Sequence, residues 1–395
     1  MKKAFFPALL LSLALLAGCS ADTPAATSTG AETTLAGTET AAAPVGTETT
    51  AAVSSEAPET VISSAAEATE DAPEATDWPE PTGVWAVEAE KLEKLTDEQK
   101  SFYRTFYELD VDSAEAYFQD HPETLENGYP HVMVNEAGLK SKGTSIVTKL
   151  GETVLAIDAE NQILIIEVRC DGARGVLAVA KRPEQLHLFL SEDLPRHGQT
   201  VGDIASQHNG ILAMTGSGFI DEGGTGNGGN LVGWAMSGGK AYGDHGPGDF
   251  VRLELREDNR FYLKEAPEKV DPATRDAMEF QPSMIINGKG QDIGYWTDKN
   301  PRACIGQSQR GEILMLGVEG RGAGGSWGCS LAYCRETLLQ HDCLTALNCD
   351  GGTTAIVWYR GEPIMRCSNA YTPQGRYLPD AWVYVGETED ASENQ

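Results

Sequence analysis

The sequence has few basic residues, and this scarcity narrows the classes of ligand that the chain can bind. It contains 30 Lys and Arg against 59 Asp and Glu, which gives a net charge of −29. Residues 20–82 contribute −12 and residues 1–19 contribute +2, which leaves −19 for residues 83–395. So acidic a surface repels the phosphate backbone of nucleic acids and other anionic polymers. We therefore expect no nucleic-acid partner.

Several catalytic and membrane signatures are also missing. No segment after residue 19 is apolar enough to span a bilayer. The glycine-rich stretches lack the GK[ST] ending of a nucleotide-binding loop, and "GGSWG" around Ser326 is not a G-x-S-x-G elbow. A serine hydrolase built on Ser326 and His245 is therefore a weak alternative. We expect His187, His208 and His341 to be surface or core residues rather than metal ligands.

Cysteine pairs of the C-x-x-C type are absent, which weakens a zinc or redox interpretation. Seven cysteines follow residue 82, an odd number that leaves at least one thiol free. Most of them lie in apolar runs, where a thiol behaves as a small hydrophobic group. We favour buried thiols over a disulfide framework, which export would permit. No metal site is predicted.

The amino terminus has the pattern of an export signal. Lys2 and Lys3 precede an apolar run over residues 4–17 that ends in "LLAGC". This resembles a bacterial lipoprotein signal, in which Cys19 becomes the lipidated first residue. The expected location is the extracellular face of the bacterial cell membrane, held through the lipid anchor only. An ordinary signal peptide with a chance cysteine is the alternative.

Composition divides the chain into five segments. The signal occupies residues 1–19. Residues 20–82 are rich in Ala, Thr and Glu and hold no Lys or Arg, so we expect a disordered linker. Residues 83–142 have helical periodicity and predict a small helical segment. The main domain spans 143–386, and 387–395 form an acidic tail.

The main domain reads as a succession of short strands. The runs "TVLAIDA", "ILIIEVRC", "GVLAVAK", "EILMLGV" and "AWVYVG" are β-branched or aromatic and are separated by turn residues. "SIVTKL" over 145–150 has the same composition. Helices are predicted at 201–208 and 330–341. The predicted class is α+β, with a mixed, strand-rich sheet, a few flanking helices and a helical segment before the main domain.

Three of these strands run into glycine-rich polar segments. They are "TGSGFIDEGGTGNGG" from Thr215, "VEGRGAGG" from Val318 and "NCDGGTT" from Asn348. Glycines let a ligand approach the backbone closely. We predict that all three segments converge on one cleft. The alternative is that "NCDGGTT" is only a tight turn between buried strands.

The motifs "ILAMTGSGF", "GTGNGG", "MIINGKG", "PRACIGQ", "LMLGVEGR" and "ALNCDGGTT" occur in this order. Together they resemble the phosphodiester glycosidase family, which includes the lysosomal uncovering enzyme. That enzyme removes N-acetylglucosamine from a phosphodiester, and bacterial relatives are mostly exported. The resemblance covers roughly residues 143–385.

Four positions depart from the family pattern. Thr215 replaces an Asn, Glu319 replaces an Asp, Cys349 replaces a Leu, and Thr353-Thr354 stands where the family often has Gly-Ser-Ser. The exchange of Asn for Thr215 removes an amide that can both donate and accept hydrogen bonds. This favours a change in activity or in substrate choice.

The resemblance and the chemistry of phosphodiesters suggest roles for the charged residues. Asp350 is the predicted catalytic carboxylate, with Glu319 as the second. Glu319 could equally be salt-bridged to hold its loop. Arg302 and Arg321 are predicted phosphate contacts, because arginine binds phosphate with paired hydrogen bonds. A surface ion pair is the alternative for Arg302, and a salt-bridged pair with Glu319 that holds the loop is the alternative for Arg321.

The remaining site candidates are polar or glycine residues of the three segments. The predicted substrate-binding residues are Thr215, Gly216, Asp221, Asn348, Gly351, Gly352, Thr353 and Thr354. Asp221 and Glu222 could instead be solvated or bind a divalent cation. No cofactor is otherwise predicted.

The expected function is therefore hydrolysis of a glycosyl phosphodiester, a sugar-1-phosphate linkage in wall, capsule or glycan material. Two alternatives stay open. One is a catalytically weak, glycan-binding lipoprotein on the same fold, and the other is a structural or adhesion module.

Overall fold

The structure is a computed structural model, and it describes residues 78–135, 143–266 and 268–386. The predicted signal with Cys19, the linker up to residue 77, residues 136–142 and the acidic tail 387–395 lie outside the described residues. No helix in the described parts of the chain is long and apolar enough to cross a membrane.

The described residues form five α-helices and nineteen strands. The helices are α1 (Ala89–Leu92), α2 (Asp97–Thr105), α3 (Val111–Asp120), α4 (Val201–Gln207) and α5 (Leu331–Gln340). The strands are β1 (Met133–Val134), β2 (Thr153–Asp158), β3 (Ile163–Cys170), β4 (Ala173–Ala180), β5 (Leu186–Leu190), β6 (Gly210–Thr215), β7 (Trp234–Ser237), β8 (Lys240–Gly243), β9 (Val251–Arg256), β10 (Phe261–Glu265), β11 (Thr274–Phe280), β12 (Ser283–Ile286), β13 (Lys289–Gly290), β14 (Arg302–Ser308), β15 (Ile313–Val318), β16 (Cys343–Asn348), β17 (Val357–Tyr359), β18 (Glu362–Pro363) and β19 (Asp380–Val385).

The strands form three sheets. The large sheet has nine strands in the order β1-β2-β3-β4-β15-β14-β16-β12-β13. The second sheet has the order β10-β9-β11-β7-β8, and the third has the order β18-β17-β6-β19-β5. The predicted strand-rich α+β class is confirmed. The described strand pairs are antiparallel rather than mixed, and short turns join several neighbouring strands, such as β3 and β4, β7 and β8, and β14 and β15.

The large sheet is buried on both faces, which explains why its central strands are continuously apolar. Leu164 and Ile166 of β3 join a core formed with α2, α3 and α5. Ile163 and Ile165, which point to the opposite face, join a core shared with the second and third sheets. Alternate side chains of β3 therefore enter two different cores, instead of one core and one solvent-exposed face.

The helical segment before the main domain packs on this sheet. Helix α2 begins with a capping box, in which Thr96 and Gln99 exchange backbone and side-chain hydrogen bonds. Helix α3 is capped by Asp110, whose side chain accepts a hydrogen bond from the Ser113 N–H at 2.8 Å. Phe102 and Phe118 bury the inner faces of the two helices in the same core as β3.

Strand predictions agree with the structure except at residues 145–150. There the chain makes only isolated bridges, from Val147 to Thr153 and from Thr148 to Leu109. The hydroxyl of Thr148 accepts hydrogen bonds from the N–H groups of Leu150 and Glu152. These local bonds close a turn and stop the strand.

Candidate functional site

The ends of three strands meet at one edge of the large sheet. Strand β14 runs antiparallel to both of its neighbours, so its first residues lie beside the last residues of β15 and β16. Arg302 pairs with Val318, and Cys304 pairs with Asn348. The polar residues that follow β15 and β16 are therefore placed at the same edge.

The third sheet adds a further strand end to this edge. After β16 the chain crosses to β17, which pairs antiparallel with β6. We call the segments after β6, β15 and β16 loop A (216–233), loop B (319–330) and loop C (349–356). The Asp350 N–H of loop C donates to the Gly216 carbonyl of loop A at 3.0 Å. A Cβ on Gly352 would lie 2.9 Å from the Arg321 guanidinium, so loop B touches loop C as well.

Asp350 is the partly exposed carboxylate at this meeting point. Its Oδ1 accepts the Gly351 N–H at 2.9 Å. Burial raises the pKa of Asp350 to about 6, because desolvation outweighs the stabilisation of the ionised form by hydrogen bonding. A carboxyl group with this pKa exchanges a proton near neutral pH, as a general acid or base must.

A second carboxylate lies behind loop A. Asp380 is fully buried at the start of β19, directly beside Gly216, where a Cβ would lie only 2.0 Å from Asp380 Oδ1. Oδ1 accepts the Ser217 N–H at 2.7 Å. Within the described residues, Asp380 Oδ2 and Ser217 Oγ have no hydrogen-bond partner. Burial raises the pKa of Asp380 to about 6.

Asp221 of loop A is held in an ion pair. Arg376 donates from both terminal nitrogens to the two oxygens of Asp221, with Nη2–Oδ1 at 2.8 Å. The Gly226 N–H adds a third hydrogen bond at 2.7 Å. Arg376 lowers the pKa of Asp221 to about 2. The charge of Arg376 acts to lower the pKa of Asp350, and the charge of Asp221 acts to raise it.

The two predicted phosphate-binding arginines differ in their surroundings. Arg321 is exposed in loop B, and its Nε donates to Asn300 Oδ1 at 3.2 Å. Arg302 is only 4% exposed, and it donates from Nε to the Cys329 carbonyl and from Nη2 to the Asp298 carbonyl. Arg321 is therefore available to a bound anion, whereas Arg302 holds backbone segments together.

Glu319 is fully buried in a network of arginines. Its Oε1 accepts from Arg174 at 2.7 Å and from the Arg366 N–H at 2.9 Å, and its Oε2 accepts from Arg366 Nη1 at 3.2 Å. Glu319 is therefore salt-bridged, as in the alternative to catalysis, but its partners are Arg174 and Arg366 rather than Arg321. It lines a cavity of about 330 Å³ together with both arginines.

Three of the predicted polar contacts are buried and bonded to the backbone. The Thr215 hydroxyl donates to the Thr354 carbonyl and accepts the Ile356 N–H at 3.0 Å. Asn348 donates to the Gln281 carbonyl at 2.7 Å, and the Thr354 hydroxyl bonds to the Gly351 carbonyl. These residues position loops A and C.

Gly351, Gly352 and Thr353 are partly exposed beside Asp350. Gly352 has a φ of +67°, a conformation that favours glycine. Its N–H donates to the Pro301 carbonyl at 3.0 Å, so this amide is occupied. These three residues provide close access to Asp350 rather than free backbone donors.

The predicted serine–histidine alternative finds no support in the geometry. The Ser326 hydroxyl donates to the Glu319 carbonyl at 2.7 Å. His245 Nδ1 lies 2.6 Å from the buried Glu279 and borders a separate cavity of about 600 Å³. The two side chains are engaged with different partners.

Sequence reasoning missed Asp380 and Arg376. Both lie in "GRYLPDAW", a segment with neither glycine-rich repeats nor a recognisable motif. Their positions follow from pairing, because β19 runs antiparallel to β6 and places Ala381 opposite Thr215. That pairing joins segments more than 160 residues apart, and no local signal reveals it.

The site defines a class of protein, a strand-rich domain with a partly exposed carboxylate and an exposed arginine among glycine-rich loops. The sequence model of the phosphodiester glycosidase family matches residues 208–385 of this chain. The match confirms the family resemblance that the motifs predicted, and it includes Asp350, Arg376 and Asp380.

Three solved structures are similar to this chain. The catalytic domain of zebrafish N-acetylglucosamine-1-phosphodiester α-N-acetylglucosaminidase, auto-inhibited by its pro-peptide, is 16% identical over 57% of this chain and 82% of that one, with a TM-score of 0.47. A putative exported protein from Burkholderia pseudomallei K96243 is 13% identical over 57% and 74%, with a TM-score of 0.42. A hypothetical protein from Synechocystis is 13% identical over 56% and 61%, with a TM-score of 0.39. None of the curated proteins matches the chain.

Proposed function

We propose that this chain hydrolyses a glycosyl phosphodiester, with Asp350 as the catalytic carboxylate. The observation that carries the proposal is the position of Asp350, which is partly exposed where loops A, B and C meet, two residues before the glycine that lies against the Arg321 guanidinium. The family match over residues 208–385 supports the reaction class.

The reaction breaks the bond between the anomeric carbon and the bridging phosphate oxygen. Asp350 accepts a proton from water as that water attacks the anomeric carbon. The bridging oxygen leaves with the bonding electrons as part of a phosphomonoester, and the sugar keeps the water oxygen. A phosphate is a good leaving group, so acid catalysis contributes less than stabilisation of the developing negative charge.

Arg321 is the group that stabilises this charge. The residue is exposed, and its guanidinium lies against Gly352, two residues after Asp350 in the chain. The N–H groups of Gly351 and Gly352 already bond to Asp350 Oδ1 and to the Pro301 carbonyl. The phosphate contact therefore falls to the arginine, with paired hydrogen bonds to two phosphate oxygens.

The raised pKa of Asp350 sets a pH dependence. A general base must be ionised, so kcat/KM falls tenfold per pH unit below the pKa of about 6 in the free enzyme. We expect a plateau above pH 7 and an acid limb centred near pH 6. An acid limb below pH 4.5 would mean that Asp350 is not the base.

The cell-surface placement is part of the proposal. We infer that the lipid on Cys19 anchors the chain to the extracellular face of the bacterial membrane and that residues 20–82 hold the domain away from it. The substrate would then be wall, capsule or other glycan material at the surface. Mass spectrometry of the membrane fraction would detect the lipid on Cys19, and an unmodified Cys19 would contradict the anchor.

A binding protein on the same fold is the second candidate. The sequence suggests it, because Thr215 stands where the resembling family has an amide. The two candidates differ in turnover, because a binding protein would retain the sugar phosphodiester without releasing sugar.

The test is release of reducing sugar from a panel of nucleotide sugars by the full-length chain. We expect release that Asp350→Asn lowers at least 10³-fold and that the control Asp120→Asn leaves unchanged. Asp120 is exposed at the end of α3, away from the three loops. Saturable binding without release, in the unmutated chain, would support the binding protein instead.

A further inference from the structure

Four cysteines from three separate parts of the sequence are buried in the core at loop B. They are Cys170 at the end of β3, Cys304 in β14, Cys329 in loop B and Cys334 in α5, and all are at most 1% exposed. The Sγ atoms of Cys170, Cys329 and Cys334 all lie within 4.8 Å of one another, with Cys329 and Cys334 at 3.4 Å. Cys304 is buried near Cys334, outside this group of three.

A buried arginine borders this cluster. Arg302 is 4% exposed, and its Nε donates to the Cys329 carbonyl at 3.1 Å. Its other contacts are the Asp298 carbonyl and the ring of Trp296. Within the described residues Arg302 forms no ion pair, although buried charges in proteins are ordinarily paired or lie near a metal site. An anionic group beside Arg302 would balance its charge.

We propose that Cys170, Cys304, Cys329 and Cys334 bind one zinc ion as thiolates. A tetrahedral zinc with Zn–S bonds of about 2.3 Å holds its sulfurs about 3.8 Å apart, close to the separations of Cys170, Cys329 and Cys334, and Cys304 is the nearby fourth ligand. Four thiolates and one Zn²⁺ carry a net charge of −2, and Arg302 supplies a neighbouring positive charge. Zinc is the soft divalent ion that a closed, four-sulfur site prefers.

Disulfides fit the same cysteines less well. A disulfide joins sulfurs in pairs and is neutral, so it gives no counter-charge to Arg302 and no reason for three thiols to be mutual neighbours. The spacing of these cysteines also explains why no metal site was predicted from the sequence. Only Cys329 and Cys334 are close in sequence, and their spacing of five is not a C-x-x-C pair.

The role of the ion is structural. It would tie β3, β14 and α5 together at the base of loop B, the segment that carries Arg321. Metal binding to such a site contributes directly to folding stability, because the unfolded chain holds no preformed site.

The test is the zinc content of the full-length chain after exposure to Zn²⁺ and removal of loosely bound metal. We expect one zinc per chain, and an intense thiolate-to-metal absorption band when Co²⁺ replaces it. Cys334→Ser should weaken zinc binding at least tenfold. Cys343→Ser should not, since Cys343 is equally buried but bonds to the Thr345 carbonyl, outside the cluster.

Three results would overturn the proposal. One is a chain without zinc whose mass is lower by two hydrogens per bridge, which would show disulfides. Another is a metal-free chain in which all four thiols react with a thiol reagent after unfolding. The third is equal loss of zinc in Cys334→Ser and Cys343→Ser. If Cys334→Ser fails to fold, the Co²⁺ spectrum of the unmutated chain decides the question.

Discussion

Replacing Asp380 by Asn should stabilise the protein at neutral pH. The carboxyl group is fully buried, and it is stabilised by one hydrogen bond from the Ser217 N–H. Its second oxygen has no partner among the described residues, and neither has the Ser217 hydroxyl. An asparagine of the same shape keeps the first hydrogen bond, removes the buried charge and offers an N–H to the hydroxyl.

The size and sign of the effect follow from the pKa of Asp380. It is raised from 3.8 to about 6 in the folded protein, so the folded state binds the proton more tightly than the unfolded state. Ionised Asp380 therefore costs about 3 kcal/mol of stability above pH 6. The cost shrinks as the pH falls through 6 and vanishes below about 4, where the group is protonated in both states.

Urea unfolding of the full-length chain at about pH 7.5 and pH 5 measures this dependence. Asp380→Asn should raise the free energy of unfolding by about 2–3 kcal/mol at the higher pH and by about half of that at the lower. Asp120→Asn, an exposed control, should change it by less than about 0.5 kcal/mol at both. A destabilised Asp380→Asn variant at pH 7.5, or an effect independent of pH, would refute the reasoning and show that the carboxylate is ionised and well solvated.

Two further substitutions test the packing of the site and of the core. Gly216→Ala should destabilise the protein by about 1–3 kcal/mol and lower sugar release, because the new methyl group would lie 2.0 Å from the buried Asp380 Oδ1. Gly248→Ala, which meets no atom within 4 Å, is the control, and equal losses in both would contradict the clash. Lys181→Met should cost about 3 kcal/mol or more in thermal and urea unfolding, because it leaves two buried glutamates without their shared ammonium. Lys100→Met removes a surface pair and should cost less than about 1 kcal/mol, so a similar loss in both would mean that the buried network contributes little.

The strands were predictable because their sequences are short, almost wholly apolar runs. "ILIIEVRC" and "GVLAVAK" are apolar without alternation, and the structure shows why, since Ile163 and Leu164 enter cores on opposite faces of the large sheet. The order of the strands was not predictable. β4 pairs with β15 across more than 130 residues, and such pairing is decided by global packing rather than by local pattern.

The site residues that come directly after apolar strands were predictable from the sequence. Those whose position depends on how distant strands pair were not. Asp350 and Arg321 stand beside glycines directly after apolar strands, and that arrangement is visible in the sequence. Arg376 and Asp380 reach the site because β19 pairs with β6. From the sequence, Arg302 is a candidate phosphate ligand. In the structure it is buried, and its Nε donates to the Cys329 carbonyl instead.

The position of Thr215 bears on whether the protein catalyses or only binds. The sequence offered Thr215 as a substrate contact, and its departure from an amide favoured a weak or non-catalytic protein. In the structure the side chain is fully buried, and its hydroxyl ties loop A to the Thr354 carbonyl and the Ile356 N–H of loop C. A residue with both hydrogen-bonding functions engaged affects a ligand through the position of its neighbour Gly216, whose carbonyl fixes the Asp350 backbone. The exchange of amide for hydroxyl therefore alters how Asp350 is held, and it removes no group that faces a ligand. For this reason Thr215 is no argument against catalysis. The ionisation of Asp350 is the property that distinguishes a catalytic protein from one that only binds.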